Sequence, residues 1–199
     1  MSIVGWNFRQ LRQFGLPRVF QMSLDLSLVL LLGTAFQAYA QVPVVDEYQV
    51  KAAFLFNFAK FVEWPPEAFA TTDEPIGICV LGQNPFGPVL EETVRGKFIG
   101  KRSFEVRQVS NAQQAGSCHI VFVSASEGTR SRALLAELKN KQVLTVIETD
   151  GVNSNGGVIG LSLKDGRVRI EIDPAAAEGA KLRISSKLLS LASIRKGNK

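Results

Sequence analysis

The residues most capable of chemistry are two cysteines, Cys79 and Cys118, and one histidine, His119. A zinc site or an iron–sulfur cluster needs about four Cys or His ligands, so these residues exclude an ordinary site of either kind. The cysteines do not form a C-x-x-C motif, which argues against a thioredoxin-like redox site. They can pair with each other, as is usual in an oxidising compartment, or remain two buried thiols. Because no Ser–His–acid arrangement is evident, we expect His119 to be structural.

The first forty residues indicate which compartment the cysteines meet. Arg9, Arg12 and Arg18 form a positive stretch, residues 26–36 an apolar run, and residues 38–40 a small-residue pattern. These are the three regions of a secretory signal peptide. The apolar run has 11 residues, whereas crossing a membrane takes about 20. The sequence therefore predicts a periplasmic protein, cleaved near Ala40, with a single domain over residues 41–199.

Cleavage would also change the charge of the chain. The intact sequence has 199 residues and a formal net charge of +5, and residues 1–40 carry three arginines and one aspartate. Their removal would leave 159 residues with a net charge of +3. The remaining basic residues are scattered along the sequence and are not interleaved with aromatic residues. The sequence therefore gives no indication of nucleic-acid binding.

The hydrophobic pattern predicts an α/β layered fold with a mainly parallel central sheet flanked by helices. Three runs are apolar on both alternating faces, as in strands that are covered on both sides. An Asp165-Gly166 turn between two strands predicts a C-terminal antiparallel hairpin that extends this sheet. The predicted strands are residues 76–81, 103–109, 120–123, 143–147, 158–163 and 167–172, and the predicted helices are residues 46–63, 85–94, 129–140, 174–179 and 185–194.

The first predicted helix contains a residue that does not fit its apolar surface. Lys51 lies within the apolar arc of the helix, where a lysine usually extends its ammonium group to water. The alternative is a buried pair with a carboxylate. Phe56 and Trp64 are candidate contacts for a protein partner, although core packing is the more ordinary role of large apolar side chains.

Polar loop residues follow several of the predicted parallel strands. Gly82 and Asn84 follow the first strand, Ser124 and Ser126 follow the third, and Asp150 follows the fourth. Ligands of open α/β sheets bind at such carboxyl ends, so these residues are candidates for a small-ligand site. The alternative is that they are ordinary polar loops. Because G-x-G-x-x-G and P-loop patterns are absent, we expect no nucleotide and no other cofactor.

Ten short segments, taken in order, resemble the YfiR family of small periplasmic regulators. They are residues 48–53 (YQVKAA), 57–65 (NFAKFVEWP), 78–82 (ICVLG), 85–87 (PFG), 118–124 (CHIVFVS), 143–146 (VLTV), 156–159 (GGVI), 169–172 (RIEI), 175–177 (AAA) and 182–192 (LRISSKLLSLA). The resemblance rests on the ordered set of segments, which covers nearly all of the chain after the predicted signal peptide.

This resemblance implies a regulator of biofilm-related signalling and not an enzyme. Such a protein binds the periplasmic sensor domain of an inner-membrane diguanylate cyclase and represses cyclic-di-GMP output, and an outer-membrane lipoprotein can sequester it. A homodimer is also conceivable. The resemblance implies a disulfide between Cys79 and Cys118. A second cysteine pair of the family's namesake is absent here, which argues against redox control through that pair. A periplasmic small-ligand-binding protein that uses the loops named above is the alternative function.

Overall fold

A mainly parallel sheet with helices on both faces forms the centre of the described part of the chain. The computed structural model describes residues 46–148 and 156–195. Its strands are β1 (Val62–Glu63), β2 (Ile76–Leu81), β3 (Phe104–Val109), β4 (Ile120–Val123), β5 (Leu144–Glu148), β6 (Ile159–Lys164), β7 (Arg167–Ile172), β8 (Arg183–Ile184) and β9 (Ser193–Ile194). Its α-helices are α1 (Glu47–Phe61), α2 (Val89–Val94), α3 (Ala112–Ala115), α4 (Ser131–Leu138), α5 (Pro174–Gly179) and α6 (Ser186–Leu189), and short 3-10 helices cover Pro66–Ala68 and Ala125–Arg130.

The strand order confirms the predicted fold class. Seven strands form the main sheet in the order β3-β2-β4-β5-β6-β7-β9, and the first five of these are parallel. β6 and β7 form the predicted antiparallel hairpin. Asp165 and Gly166 have φ angles of 52° and 69° at its turn, as a two-residue hairpin turn with the right twist requires.

Each face of the sheet has its own apolar core, which explains why the central strands are apolar on both sides. The first core joins α1 and α2 to one face, and includes Leu55, Phe58 and Phe122. The second core joins α3 and α4 to the other face, and includes Leu135, Leu138 and Val121. Because every residue of β2 and β4 is buried, these strands are fixed from both sides.

The first helix begins and ends where local chemistry dictates. The Asp46 carboxylate accepts a hydrogen bond from the Tyr48 backbone N–H at 3.0 Å, which caps the amino end of α1. The helix ends at Phe61, two residues before the predicted limit. Val62 and Glu63 instead pair with Ile184 and Arg183 in a separate two-stranded antiparallel sheet.

The last predicted helix is wrong over its second half. Only Ser186–Leu189 is helical, and Ser193–Ile194 forms a strand that pairs in parallel with the end of β7. Leu191, which follows the helical turn, is 68% exposed. The pattern of leucines indicated a helix, but hydrogen bonds to a distant strand determine this segment.

A disulfide between Cys79 and Cys118 joins β2 to the residue that leads into its neighbour β4. The two Cα atoms are 6.0 Å apart, and both cysteines are buried in the second core. Closing a loop across 39 residues stabilises a fold by about 4 kcal/mol in the chain-entropy model. The pairing that the family resemblance implied is confirmed, and the alternative of two free thiols is wrong.

None of the helices within the described residues is long and apolar enough to cross a membrane.

Candidate functional site

The sheet has one point where a ligand crevice would be expected. The order in which strands are added to the sheet reverses between β2 and β4, a point that we call the chain reversal, since β3 lies on one side of β2 and the later strands lie on the other. In open α/β sheets, ligands bind at the carboxyl ends of the strands beside such a reversal. Gly82 follows β2 and Ser124 follows β4, so the structure brings these two predicted ligand residues together with Ser126.

The loop after β4 fills this point itself. Ser126 Oγ accepts a hydrogen bond from the Gln83 N–H at 2.9 Å and donates one to Ser124 Oγ at 3.2 Å. Gly82 has a φ angle of +95°, and a Cβ there would lie only 2.6 Å from Ser126 Oγ. A side chain would therefore collide with the neighbouring loop. The two hydroxyl groups satisfy each other and the backbone and are not aimed at an open cleft.

The other two predicted ligand residues contribute differently. The Asn84 side chain accepts a hydrogen bond from the Phe86 N–H at 2.9 Å, and so stabilises its own turn. Asp150 lies outside the described residues. Ligand binding by this set of loops stays a prediction.

A buried ion pair lies at the same end of the sheet. Lys51, on α1, is 1% exposed, and its Nζ lies 2.5 Å from Glu148 Oε1 at the end of β5. Lys51 also contacts the Glu47 carboxylate one helical turn earlier. The other Glu148 oxygen accepts a hydrogen bond from the Ala125 N–H at 3.0 Å, in the loop that follows β4. The expectation that Lys51 extends to water is wrong, and the alternative of a buried pair is correct.

The surroundings keep Glu148 ionised. Burial by itself raises the pKa of Glu148, but hydrogen bonds from Lys51, from the Ala125 N–H and from the Tyr48 side chain outweigh it. The pKa of Glu148 therefore lies below its ordinary value. A lysine in the apolar arc was the sequence signal for this pair, but nothing in the sequence indicated which carboxylate it would meet.

The histidine has a structural environment, as expected. His119 Nδ1 accepts a hydrogen bond from the Gly77 N–H at 3.0 Å, and Nε2 lies 3.2 Å from the Ala68 carbonyl oxygen. These two contacts together fit the neutral ring with its proton on Nε2. The Phe69 ring stacks on the imidazole with centroids 4.3 Å apart. Burial lowers the pKa of His119 below its ordinary value of 6.5.

Phe56 and Trp64, the two candidate contacts for a protein partner, both make contacts within the domain. Phe56 is 9% exposed and packs edge-on against Phe104. Trp64 is half-buried, and its Nε1 donates a hydrogen bond to the His119 carbonyl oxygen at 3.3 Å. Trp64 therefore presents part of its ring to solvent, whereas Phe56 presents very little. Their role in partner binding stays a prediction.

A cavity that the sequence did not indicate lies between α4 and α5. Its volume is about 470 Å³, and its lining is mostly apolar, with Leu135, Val143 and Val158 among its walls. Arg132 and Lys139 also line it. Because Val143 and Val158 immediately precede β5 and β6, the cavity lies at the amino ends of these strands. It is thus at the opposite end of the sheet from Gly82, Ser124 and Ser126.

Among the residues that the structure describes, no group of three or more His, Cys, Asp or Glu side chains could hold a metal ion.

A protein-family model described as YfiR/HmsC-like matches residues 48–193. The chain belongs to the YfiR/HmsC-like family. Members of this family are periplasmic regulators of diguanylate cyclase signalling and not enzymes. The family match thus agrees with a domain whose polar residues at the chain reversal are satisfied by one another.

Solved structures that are similar to this member of the YfiR/HmsC-like family include the following two. A conserved domain protein from Vibrio cholerae O1 biovar El Tor has a TM-score of 0.52 at 9% identity, over 75% of this chain and 60% of that one. An ABC domain from Streptococcus pneumoniae in complex with L-Trp has a TM-score of 0.46 at 9% identity, over 74% of this chain and 59% of that one. This chain therefore spans about 60% of the length of each. At such identity the Vibrio likeness shows a shared fold alone. No curated protein sequence matches the chain.

Replacing Lys51 by methionine should destabilise the domain strongly. Lys51→Met leaves the Glu148 carboxylate buried without its cation, which costs about 3–5 kcal/mol of unfolding free energy. The double variant Lys51→Met/Glu148→Gln should lose less than the single variant, because no buried charge is left unpaired. Urea unfolding at neutral pH measures both. Lys60→Met on the same helix is the matched control, with an expected loss below about 1 kcal/mol. A Lys51→Met loss as small as that of the control would contradict the pair.

The stability of the domain should fall as the pH drops through the histidine range. Because the folded pKa of His119 lies below its unfolded value, the unfolded chain takes up the proton first. Stability is then complete above about pH 6.5 and declines below it, by no more than about 1.4 kcal/mol per pH unit for one proton. His119 is the only histidine in the sequence, so His119→Gln should remove the decline. Unfolding free energies of both proteins measured between about pH 7.5 and 5.5 test this prediction. A decline in His119→Gln as large as in the parent protein would show that His119 is not its cause.

Proposed function

We propose that this protein is a non-catalytic periplasmic regulator that binds the extracytoplasmic sensor domain of an inner-membrane diguanylate cyclase and represses its cyclic-di-GMP output. The observation that carries this proposal is the family match over residues 48–193. The chain reversal supports a binding role over catalysis, because Gly82 packs directly against Ser126 and the Ser126 hydroxyl is already hydrogen-bonded to the Gln83 N–H and to Ser124.

The proposal includes export of the chain. Residues 1–40 act as a signal peptide that is removed near Ala40, and residues 41–199 function as one periplasmic domain. The disulfide between Cys79 and Cys118 supports this location, because such bonds persist in oxidising compartments. An outer-membrane lipoprotein that sequesters the regulator, and a homodimer, belong to the same hypothesis.

The partner should be recovered by direct capture. We expect the exported protein to bind the purified sensor domain of a membrane cyclase encoded beside its gene, and deletion of the gene to raise cellular cyclic-di-GMP. Trp64→Ala should weaken this binding about tenfold or more if its exposed ring is a contact. Leu191→Ala, which changes a large apolar residue that is 68% exposed elsewhere, is the matched control. Titration calorimetry gives the affinities, and the unfolding midpoint of each variant shows that it is folded. Failure to bind, together with unchanged cyclic-di-GMP after deletion, would reject the proposal.

A second candidate function is supported by the cavity between α4 and α5. We infer that a small amphipathic carboxylate occupies it, because the lining is mostly apolar and includes the cations of Arg132 and Lys139, while the one carboxylate of its described lining, Asp173, is ion-paired with Arg195. Binding there could control release of the protein partner. The loops at Gly82, Asn84, Ser124 and Ser126 are the alternative position for such a ligand.

A thermal-shift screen with small carboxylates distinguishes the two positions. A ligand at about 100 times its dissociation constant adds about 2.7 kcal/mol to stability, which raises the melting temperature by roughly 5–10 °C for a chain of this size. Ala176→Leu should abolish the shift if the ligand fills the cavity, and Ser126→Ala should abolish it if the loops bind. The absence of a shift for every carboxylate tested would reject the second candidate function.

A further inference from the structure

The segment between α2 and β3 presents an exposed aromatic ring among cations. Residues 95–102, which we call the basic loop, have the sequence RGKFIGKR, with four basic residues and no acidic one. Phe98, near the middle of the loop, is 62% exposed. Core packing explains neither the exposure of Phe98 nor the positive charge of the loop.

The basic loop is well anchored, so the exposure of Phe98 is not the result of a frayed segment. The Ile99 N–H donates to the Arg102 carbonyl at 2.9 Å, and the Arg102 N–H donates back to the Ile99 carbonyl at 3.1 Å. Ile99 packs on the first core. The Arg102 guanidinium lies 3.5 Å from the centroid of the Phe69 ring and donates to the Thr71 and Glu74 carbonyls at 2.9 and 2.8 Å.

Folding adds a further cation to this surface. Lys97 Nζ lies 4.4 Å from the centroid of the Phe56 ring, and Lys60 Nζ, from α1, lies 4.3 Å from the same centroid. Within the described part of the chain, no carboxylate forms an ion pair with Lys60, Lys97, Arg95 or Lys101. The surface that carries the exposed ring of Phe98 therefore has four cations without a carboxylate partner among the described residues.

We propose that the basic loop docks this protein on an anionic phospholipid surface. An apolar side chain beside several lysines and arginines is the arrangement by which peripheral proteins bind membranes: the ring enters the boundary between headgroups and acyl chains, and the cations face lipid phosphates. This proposal goes beyond the proposed function, because it names a lipid surface as a partner in addition to a protein.

The geometry favours a lipid surface over a protein partner. A stable protein interface buries about 800 Å² on each side. Among the described residues, the other large exposed apolar side chains lie far from Phe98: Leu163 is on β6, Leu191 is beside β9, and Ile194 is in β9. The basic loop leads into β3, at the opposite edge of the sheet from β9. One isolated ring with cations is too small a surface for such an interface. Such a surface suffices for a weak membrane contact, which would raise the local concentration of this protein near a membrane-bound partner.

Vesicle sedimentation tests the proposal. The exported protein is mixed with vesicles of phosphatidylethanolamine and phosphatidylglycerol, and with vesicles of phosphatidylcholine alone. Binding is expected only with phosphatidylglycerol, and should weaken between about 0.05 M and 0.5 M salt because of screening. Phe98→Ser should weaken it about tenfold. Arg95→Gln/Lys101→Gln should weaken it about 25-fold, at about fivefold for each cation.

Matched controls change the same chemistry elsewhere. Leu191→Ser removes another exposed apolar side chain, and Lys164→Gln/Arg167→Gln removes two cations beside the hairpin turn between β6 and β7; both should bind like the parent. The amino terminus of each preparation is sequenced, so that all proteins are compared in the same form. Phe98→Trp should retain binding, and its added fluorescence should shift to the blue only with phosphatidylglycerol vesicles.

Three results of the vesicle experiments would overturn the proposal. They are no sedimentation with phosphatidylglycerol vesicles, loss of binding in the controls as large as in the basic-loop variants, and unaltered Phe98→Trp fluorescence on mixing. Weaker capture of the sensor domain by the basic-loop variants, with vesicle binding intact, would assign the loop to a protein partner and likewise overturn it. Vesicle binding can fail while sensor-domain capture succeeds, and capture can fail while vesicle binding succeeds. The experiments therefore test membrane docking separately from the proposed function.

Discussion

The buried pair of Lys51 and Glu148 is the interaction on which the arrangement of this domain depends. An ammonium group that is almost fully removed from water needs a carboxylate partner, since an unpaired buried charge costs several kcal/mol. The partners come from α1 and from the end of β5, and Glu148 also accepts a hydrogen bond from the loop after β4. One carboxylate therefore fixes where the first helix lies on the sheet and how the polar end of the sheet is closed.

The other reactive side chains of the domain also serve structure. The cysteines are joined in a disulfide, both ring nitrogens of His119 have backbone partners, and the hydroxyl groups of Ser124 and Ser126 bond to each other. In a catalytic site, such groups would be aimed at a cleft where a substrate could sit. Here they stabilise the connections between β2, β4 and β5. Specificity must then reside on surfaces that the core supports.

The sequence predicted the parts of the fold that depend on local pattern. β2 and β4 have the predicted bounds, because strands buried on both faces are continuously apolar, and the Asp165-Gly166 turn identified the hairpin. Pairings between distant residues were not predictable. Lys51 meets a carboxylate 97 residues away, and Ser193–Ile194 leaves the helical pattern to pair with β7. The cavity between α4 and α5 had no sequence signal, since its walls come from residues far apart in the chain.

The edges of the sheet further restrict how the protein can bind. β9 has two residues and covers only the end of β7, while the edge strand β3 carries Glu105, Arg107 and Gln108. Short and charged edge strands discourage the addition of another strand. Recognition must therefore use side chains on loops and helices. Four cations are already clustered in the sequence of the basic loop, and the fold adds Lys60 from α1, which meets Lys97 over the ring of Phe56. Positive charge is thus concentrated at the foot of β3, on the segment that the mutual hydrogen bonds of Ile99 and Arg102 anchor.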